Sequence, residues 1–272
     1  MNTGDAVRVF AELHKSGCFV LPNPWDLGSA RLLERLGFPA LATTSSGFAW
    51  SRGRADNHVT LDDVLLHLRE MTESVDVPVN ADFEGGFAVE PSDVAKHVLL
   101  ASDTGIAGLS IEDSTGDIDK PLFDFKLALE RVQAARRALN ESDTGVLLTA
   151  RTEGFIVGRP DLDETIRRLT AFAEAGADCL YAPGIRVMDQ IAEVVKAVAP
   201  KPVNVRVGTD LTTVQALADL GVRRISVGGA LARVAWAAFM DAATEIATHG
   251  TFTRFAGVIS GAALNDAMSR ES

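Results

Sequence analysis

Carboxylates, amides and arginines recur in this chain at one kind of place: the end of a short apolar run. Pro78-Val79-Asn80-Ala81-Asp82-Phe83-Glu84 ends in Asn80, Asp82 and Glu84, and Ser110-Ile111-Glu112-Asp113 ends in two acids. Ala150-Arg151-Thr152-Glu153 adds a cation between acids, and Asn204-Val205-Arg206 an amide and a second cation. Trp25-Asp26, Thr44-Ser45-Ser46-Gly47, Tyr181 and Gly228-Gly229 close other runs. Acids gathered at one mouth would repel one another, and a divalent cation would relieve that repulsion. An all-oxygen donor set without His or Cys favours Mg²⁺, with Mn²⁺ as the alternative, over zinc. Mg²⁺ keeps several waters, so some of the acids would act through water. The planar guanidinium of Arg151 or Arg206 suits a carboxylate or phosphonate. Taken singly, any of these acids could instead cap a helix or neutralise an arginine.

The elements that must position these residues alternate. Apolar runs at 18–26, 40–47, 78–84, 107–113, 145–153, 177–183, 202–207 and 223–229 read as strands covered on both faces, as in parallel sheets. Amphipathic periods at 27–37, 60–75, 91–104, 122–140, 161–175, 186–199, 210–220 and 230–249 read as helices. Thr60 before Asp62 and Asp63, Pro91-Ser92-Asp93, and Asp210 before Leu211 are start signals. Gly37, Gly105, Gly176 and Gly221 each follow a helix, where a left-handed cap favours glycine. Eight such units predict an α/β fold, a (β/α)8 TIM barrel, with its site at the C-terminal ends of the strands. An opening helix over 3–16 precedes the barrel, and a polar tail over 250–272 forms a short helix on the barrel or on another subunit. One domain is expected over 1–272, with the barrel spanning about 18–249.

The bulk numbers exclude some classes. With 272 residues, 47% hydrophobic and 23% charged, the chain can fill a large core. A net charge of −11 with no basic patch opposes nucleic-acid binding. No run of about 18 apolar residues suggests a membrane span, and the first 16 residues lack a signal-peptide core; a cytoplasmic protein is expected. Cys18 and Cys179 lie outside any CxxC pattern and read as buried free thiols. None of the six lysines ends a strand, which argues against Schiff-base chemistry. Of the five histidines only His58 falls in a loop at the proposed mouth; the others read as solvated on helices or in the tail.

The motifs resemble the isocitrate lyase/phosphoenolpyruvate mutase superfamily from Pro22 to about Phe239. The carrying segments are Ala30–Phe38 leading to Thr44-Ser45-Ser46-Gly47-Phe48, then Val79-Asn80-Ala81-Asp82, Ser110-Ile111-Glu112-Asp113 and Ala150-Arg151-Thr152-Glu153-Gly154-Phe155. The resemblance implies a Mg²⁺-dependent enzyme that makes or breaks a C–C or C–P bond beside an enolate of a small α-keto acid. Oxaloacetate decarboxylase-, phosphonopyruvate hydrolase- and carboxyphosphonoenolpyruvate mutase-like activities all fit. It implies metal ligands Asp82, Glu112 and Asn80, a loop aspartate Asp56, and a substrate-gripping Arg151. Ser45, Ser46, Gly47 and Phe48 would contact the substrate, with Trp25, Tyr181, Asn204 and Arg206 as further candidates. It also implies a homo-oligomer, a dimer or a tetramer with exchanged C-terminal helices.

This sequence departs from the family pattern at three places. Asn80 stands where an acid is expected. Ser114–Pro121 lacks the lyases' catalytic cysteine, and its small polar residues suggest a mobile lid. Tyr181-Ala182-Pro183 lacks the lyases' glutamate and the mutase's histidine. Two alternatives follow: a non-catalytic α-keto-acid-binding member of the family, motivated by these departures, and a sugar-phosphate barrel enzyme, motivated by Gly228-Gly229 alone.

Overall fold

The structure, a computed structural model, describes residues 1–210 and 212–269. Eight short parallel strands form one sheet: β1 (Phe19–Leu21), β2 (Leu41–Ala42), β3 (Val79–Asp82), β4 (Gly108–Glu112), β5 (Leu147–Arg151), β6 (Cys179–Tyr181), β7 (Val203–Arg206) and β8 (Arg224–Ser226). Their order is β1-β8-β7-β6-β5-β4-β3-β2. The seam between β1 and β2 is joined by the Ala42 amide donating to Pro22 O at 3.0 Å. Asn23 reinforces that seam. Its side-chain amide donates to Thr43 O, and its Oδ1 accepts from the Val227 and Gly228 amides, all at 2.8 Å. The sheet is thus a nearly closed (β/α)8 barrel, as the alternation of runs predicts.

The covering helices are α2 (Leu27–Arg35), α4 (Leu61–Ser74), α5 (Pro91–Ser102), α6 (Phe125–Ser142), α7 (Leu162–Glu174), α8 (Met188–Val198), α9 (Val214–Asp219) and α10 (Ala230–His249). Thr60 caps α4 through a reciprocal pair with Asp63, and Pro91 opens α5. Thr213 rather than Asp210 caps α9, and the expected start at Leu211 lies outside the described residues. Gly37, Gly105, Gly176 and Gly221 all have positive φ, between 84° and 98°, as the cap reading requires. The outer core joins Ala81, Phe83, Leu109, Ile111, Leu148, Ala150 and Leu180 to the helices.

The opening helix, α1 (Thr3–Leu13), plugs the lower end of the barrel. Its Ala6 and Phe10 pack with Phe19, Leu21, Ala40, Ala42 and Ala107. Two histidines depart from the solvated reading. His14 is wedged among Phe10, Phe19 and Arg224, and His67 stacks on Phe48 with ring centroids 3.9 Å apart. Burial pushes both imidazoles down to about 4, so both are neutral near pH 7. Cys179 is buried on β6, and Cys18, one residue before β1, is half-buried.

One further element is absent from the strand-and-loop reading. Residues 45–51 form a short helix, α3 (Ser45–Ser51), capped by Thr44. Beyond α10 a 3₁₀ turn (Thr253–Phe255) leads to α11 (Gly261–Met268). α11 returns to the barrel, where Arg31 and Arg35 of α2 donate to Met268 O and Asp266 O. The expected short tail helix is therefore present, and residues 270–272 lie outside the described residues.

Candidate active site

A cavity of about 500 Å³ opens at the C-terminal ends of the strands. Side chains alternate along a strand, so Asn80 and Asp82, Ser110 and Glu112, and Arg151 and Glu153 all reach it while Ala81, Ile111 and Ala150 face the helices. Arg151 stands at its centre. Nη1 lies 2.5 Å from Asp82 Oδ1, and Nη2 is 2.9 Å from both Glu112 Oε2 and Glu153 Oε1. The guanidinium also sits 5.1 Å from the Tyr181 ring. Asp82 Oδ2 accepts from the Ser45 amide (2.9 Å) and hydroxyl (3.0 Å), so the first turn of α3 holds this acid by helix-terminus geometry.

Three acids share one cation, and the electrostatics follow. Burial pushes the Glu112 and Glu153 carboxyls up, with Arg151 opposing in both cases. Burial works against the charge of Arg151, but Glu112, Glu153 and Asp82 outweigh it and raise its pKa. Asp56 lines the mouth, and its carboxyl is raised by burial and then by Asp82. Glu84 follows Asp82 in the left-handed region, at φ 46°, and is pushed up to about 8 by burial and by Asp82 and Asp56. Asp113 is a structural acid. It points away from the cavity and accepts from Thr152 Oγ1 (2.8 Å), the Glu153 amide (2.9 Å) and Arg168 (3.0 Å).

The remaining candidates divide. Ser45, Ser46, Tyr181, Asn204 and Arg206 line the cavity with Asp56, Asn80, Asp82, Glu112 and Arg151. Trp25, Gly47 and Phe48 are not among its lining residues. Phe48 is turned into the core against His67. Gly47 lets α3 pack closely: a Cβ there would meet Thr44 Cγ2 at 2.6 Å and Trp25 Cβ at 2.9 Å. The Ser45 and Gly47 amides are already engaged, by Asp82 and Thr44. The Gly116 loop closes on itself through a Ser114–Leu122 bridge and bonds between Thr115 and residues 120–121, with Ile118 at the cavity rim.

Glu153, which the sequence leaves between helix cap and arginine partner, is a full partner of Arg151. Sequence reasoning missed two participants. Asn23 ties the seam beside the cavity, and Arg224 forms part of its floor. The pair Arg223-Arg224 between Val222 and Val227 was the available signal for the last.

The donor chemistry fits a hard dication. Asn80 Oδ1 is buried in the cavity wall with no hydrogen-bond partner among the described residues, and such an orphaned oxygen calls for a ligand or water. Among the described residues no three His, Cys, Asp or Glu side chains already converge as a metal cage. That is compatible with an ion that takes few direct protein ligands.

Eight strands with a cavity at their C-terminal ends, walled by acids around an arginine, have the layout of a barrel enzyme's active site. The phosphoenolpyruvate phosphomutase family model matches residues 10–247, and the chain belongs to that family, within the phosphoenolpyruvate mutase/isocitrate lyase superfamily. The crystal structure of a candidate lyase/mutase from Burkholderia cenocepacia J2315 is similar at 45% identity and a TM-score of 0.96, covering 99% of this chain and 97% of that one. Oxaloacetate acetylhydrolase bound to its product oxalate superimposes with a TM-score of 0.87 at 26% identity, covering 98% and 95%. The 2-methylisocitrate lyase of Escherichia coli K12 is 32% identical over 190 residues, 67% of this chain and 62% of that enzyme. The chain is an enzyme of this lyase or mutase type.

Proposed function

We propose that the protein is a Mg²⁺-dependent enzyme that cleaves or forms a C–C or C–P bond in a small α-keto-carboxylate through an enolate. The observation that carries this reading is the Arg151 cluster, one cation bridging Asp82, Glu112 and Glu153 in a cavity wall. Three acids and one arginine leave negative charge for which a dication is the natural counter-ion. Asp82 and Glu112 would hold the ion, Asn80 would offer a neutral oxygen, and Asp56 would assist through water. When bound, Mg²⁺ supplies Lewis-acid stabilisation of a keto or enolate oxygen. Arg151 orients the substrate carboxylate and offsets the negative charge that develops. Ser45 holds Asp82, and Ser46 lines the edge of the pocket. Glu153 is not assigned to the ion, and its raised carboxyl makes it the candidate for holding the proton that an enolate needs.

A screen of small 2-keto acids and phosphonates with Mg²⁺, reading pyruvate release, tests the proposal. Asp82→Ala should abolish turnover and weaken Mg²⁺ binding; if both survive, the metal assignment is wrong. The oligomeric state belongs to the same reading. α10 buries only Ala232 and leaves Trp236, Phe239 and Met240 exposed, which suits exchange of C-terminal helices between copies. Sedimentation should give a dimer or tetramer.

A further inference from the structure

Arg167 and Arg168 are neighbours on α7, and they have different surroundings. The side chain of Arg167 is 51% exposed, and that of Arg168 only 8%. Arg168 is not among the residues that line the cavity, yet its contacts lead there. Its Nη1 donates to Asp113 Oδ2 and to Phe123 O, both at 3.0 Å, and its Nε donates to Glu164 Oε1 at 2.7 Å. Among the described residues it is the only cation within ion-pair distance of Asp113. Removing one member of a buried ion pair leaves an uncompensated charge, so Asp113 and Arg168 act as a unit.

Asp113 is a junction between two segments. Its Oδ1 accepts from the Glu153 amide (2.9 Å) and its Oδ2 from Thr152 Oγ1 (2.8 Å). Its own carbonyl accepts from the Phe123 amide at 2.9 Å. Asp113 and Phe123 flank the Ser114–Leu122 bridge, so this bond and the Arg168 bond to Phe123 O close the base of the Gly116 loop. The Glu153 carboxyl bonds Arg151, through Nε at 3.0 Å and Nη2 at 2.9 Å. The Glu153 carbonyl accepts from the Ile156 and Val157 amides of its own turn. Among the described residues, the one long-range tie on the Glu153 backbone is therefore Asp113.

We infer that Arg168 is a positioning residue: through Asp113 it holds the Glu153 carboxyl in place against Arg151, and at the same point it fixes the base of the Gly116 loop. This rests on the proposed function for the role of Glu153 and adds what sets that group's position. A carboxyl that exchanges a proton with a substrate must be placed to within about 0.5 Å by supporting contacts. Arg168 supplies that support from outside the cavity, without touching anything bound there. The loop base and the acid share one anchor, so a shift of either end of the loop is felt at residues 152–153.

The test uses the full chain with Mg²⁺ and the substrate that the keto-acid screen yields. Arg168→Met should lower kcat by about ten- to a hundredfold and change KM by less than about threefold, because Arg151 still grips the substrate. Arg168→Lys keeps the charge without the planar fork and should recover part of the loss. In a Glu153→Gln background, Arg168→Met should change kcat by less than about twofold, since the group it positions is already disabled. A merely structural arginine would lower kcat equally in both backgrounds; that result, or an unchanged kcat in Arg168→Met alone, overturns the inference. If Arg168→Met does not fold, Asp113→Asn/Arg168→Met removes both charges and takes its place. A second arm needs no turnover. In the metal-free protein, hydrogen exchange read by mass spectrometry should be about tenfold or more faster in Arg168→Met over both 114–123 and 152–157, and unchanged over 40–43 at the seam. If the screen yields no substrate, the proposed function fails and this arm decides alone. Paired acceleration supports the link, and its absence overturns it whether or not a substrate is found.

Discussion

Arg131 and Arg151 are both withdrawn from solvent, yet they do opposite work. Arg131, on α6, donates to three backbone carbonyls, Gly85 O, Ala88 O and Val89 O, and lies 4.1 Å from the Phe123 ring centroid. It has no carboxylate within ion-pair distance among the described residues, and burial depresses it to about 10. Arg151 has three carboxylates, and its pKa is raised. The first arginine clamps the turn after β3, where Glu84 and Phe87 hold left-handed backbone at φ 46° and 55°, a conformation that costs non-glycine residues energy. The second sits among charges that a ligand can redistribute. A buried arginine answered by fixed carbonyls supports the fold, whereas one answered by surplus acids marks a place where charge is to be exchanged.

Substitutions sharpen that contrast. Arg151→Met should lower turnover by about 10³-fold, because it removes a positioned cation from the developing anion; steady-state kinetics on the substrate found by the keto-acid screen measure it. Arg131→Met should instead lower stability by about 3 kcal/mol, since it strips three buried carbonyls of their donor. Urea unfolding reads that loss. If Arg131→Met proved neutral in stability and Arg151→Met neutral in turnover, the contrast would collapse. Gly47→Ala tests the support of Asp82 rather than its charge. The clash with Thr44 and Trp25 should cost about 1–3 kcal/mol and displace Ser45 from Asp82, so metal affinity should fall with stability.

The smallest effects are in pH. His14 and His67, depressed to about 4 from 6.5, contribute stability that is present above pH 6.5 and lost as pH falls through about 4. Glu84, raised to about 8 from 4.5, works the other way: its contribution is present below pH 4.5 and lost as pH rises through about 8. Melting temperatures of the metal-free protein should therefore decline on both sides. Glu84→Gln should flatten the alkaline limb, and His67→Phe the acid limb.

Much of this architecture is legible in the sequence, because parallel strands buried on both faces leave long apolar runs and because Gly37, Gly105, Gly176 and Gly221 mark the returns. The placement of Asp82, Glu112 and Arg151 is legible for the same reason: residues at strand ends must meet at one mouth. What escapes is decided by partners distant in sequence. Thr44-Ser45-Ser46-Gly47 looks like a polar strand tip, and only the docking of Gly47 against Trp25 turns it into a helix start. Phe48 has the composition of a pocket wall, yet His67 of α4 claims its face. His14 looks solvated at the end of α1, but that helix is pressed under the barrel, and Arg224 on β8 reaches down to it.

The α1 plug has a consequence for traffic. With Phe10 and Phe19 stoppering the lower end, the cavity is a well rather than a tunnel. Everything that enters must leave by the same doorway, beside Asp56 and the Ser114–Pro121 loop. The last fragment in is the first out, and the fragment seated deepest departs last. A reaction that makes two products from one substrate must therefore release them in a fixed order, and the deeper product competes with the next substrate for the empty well.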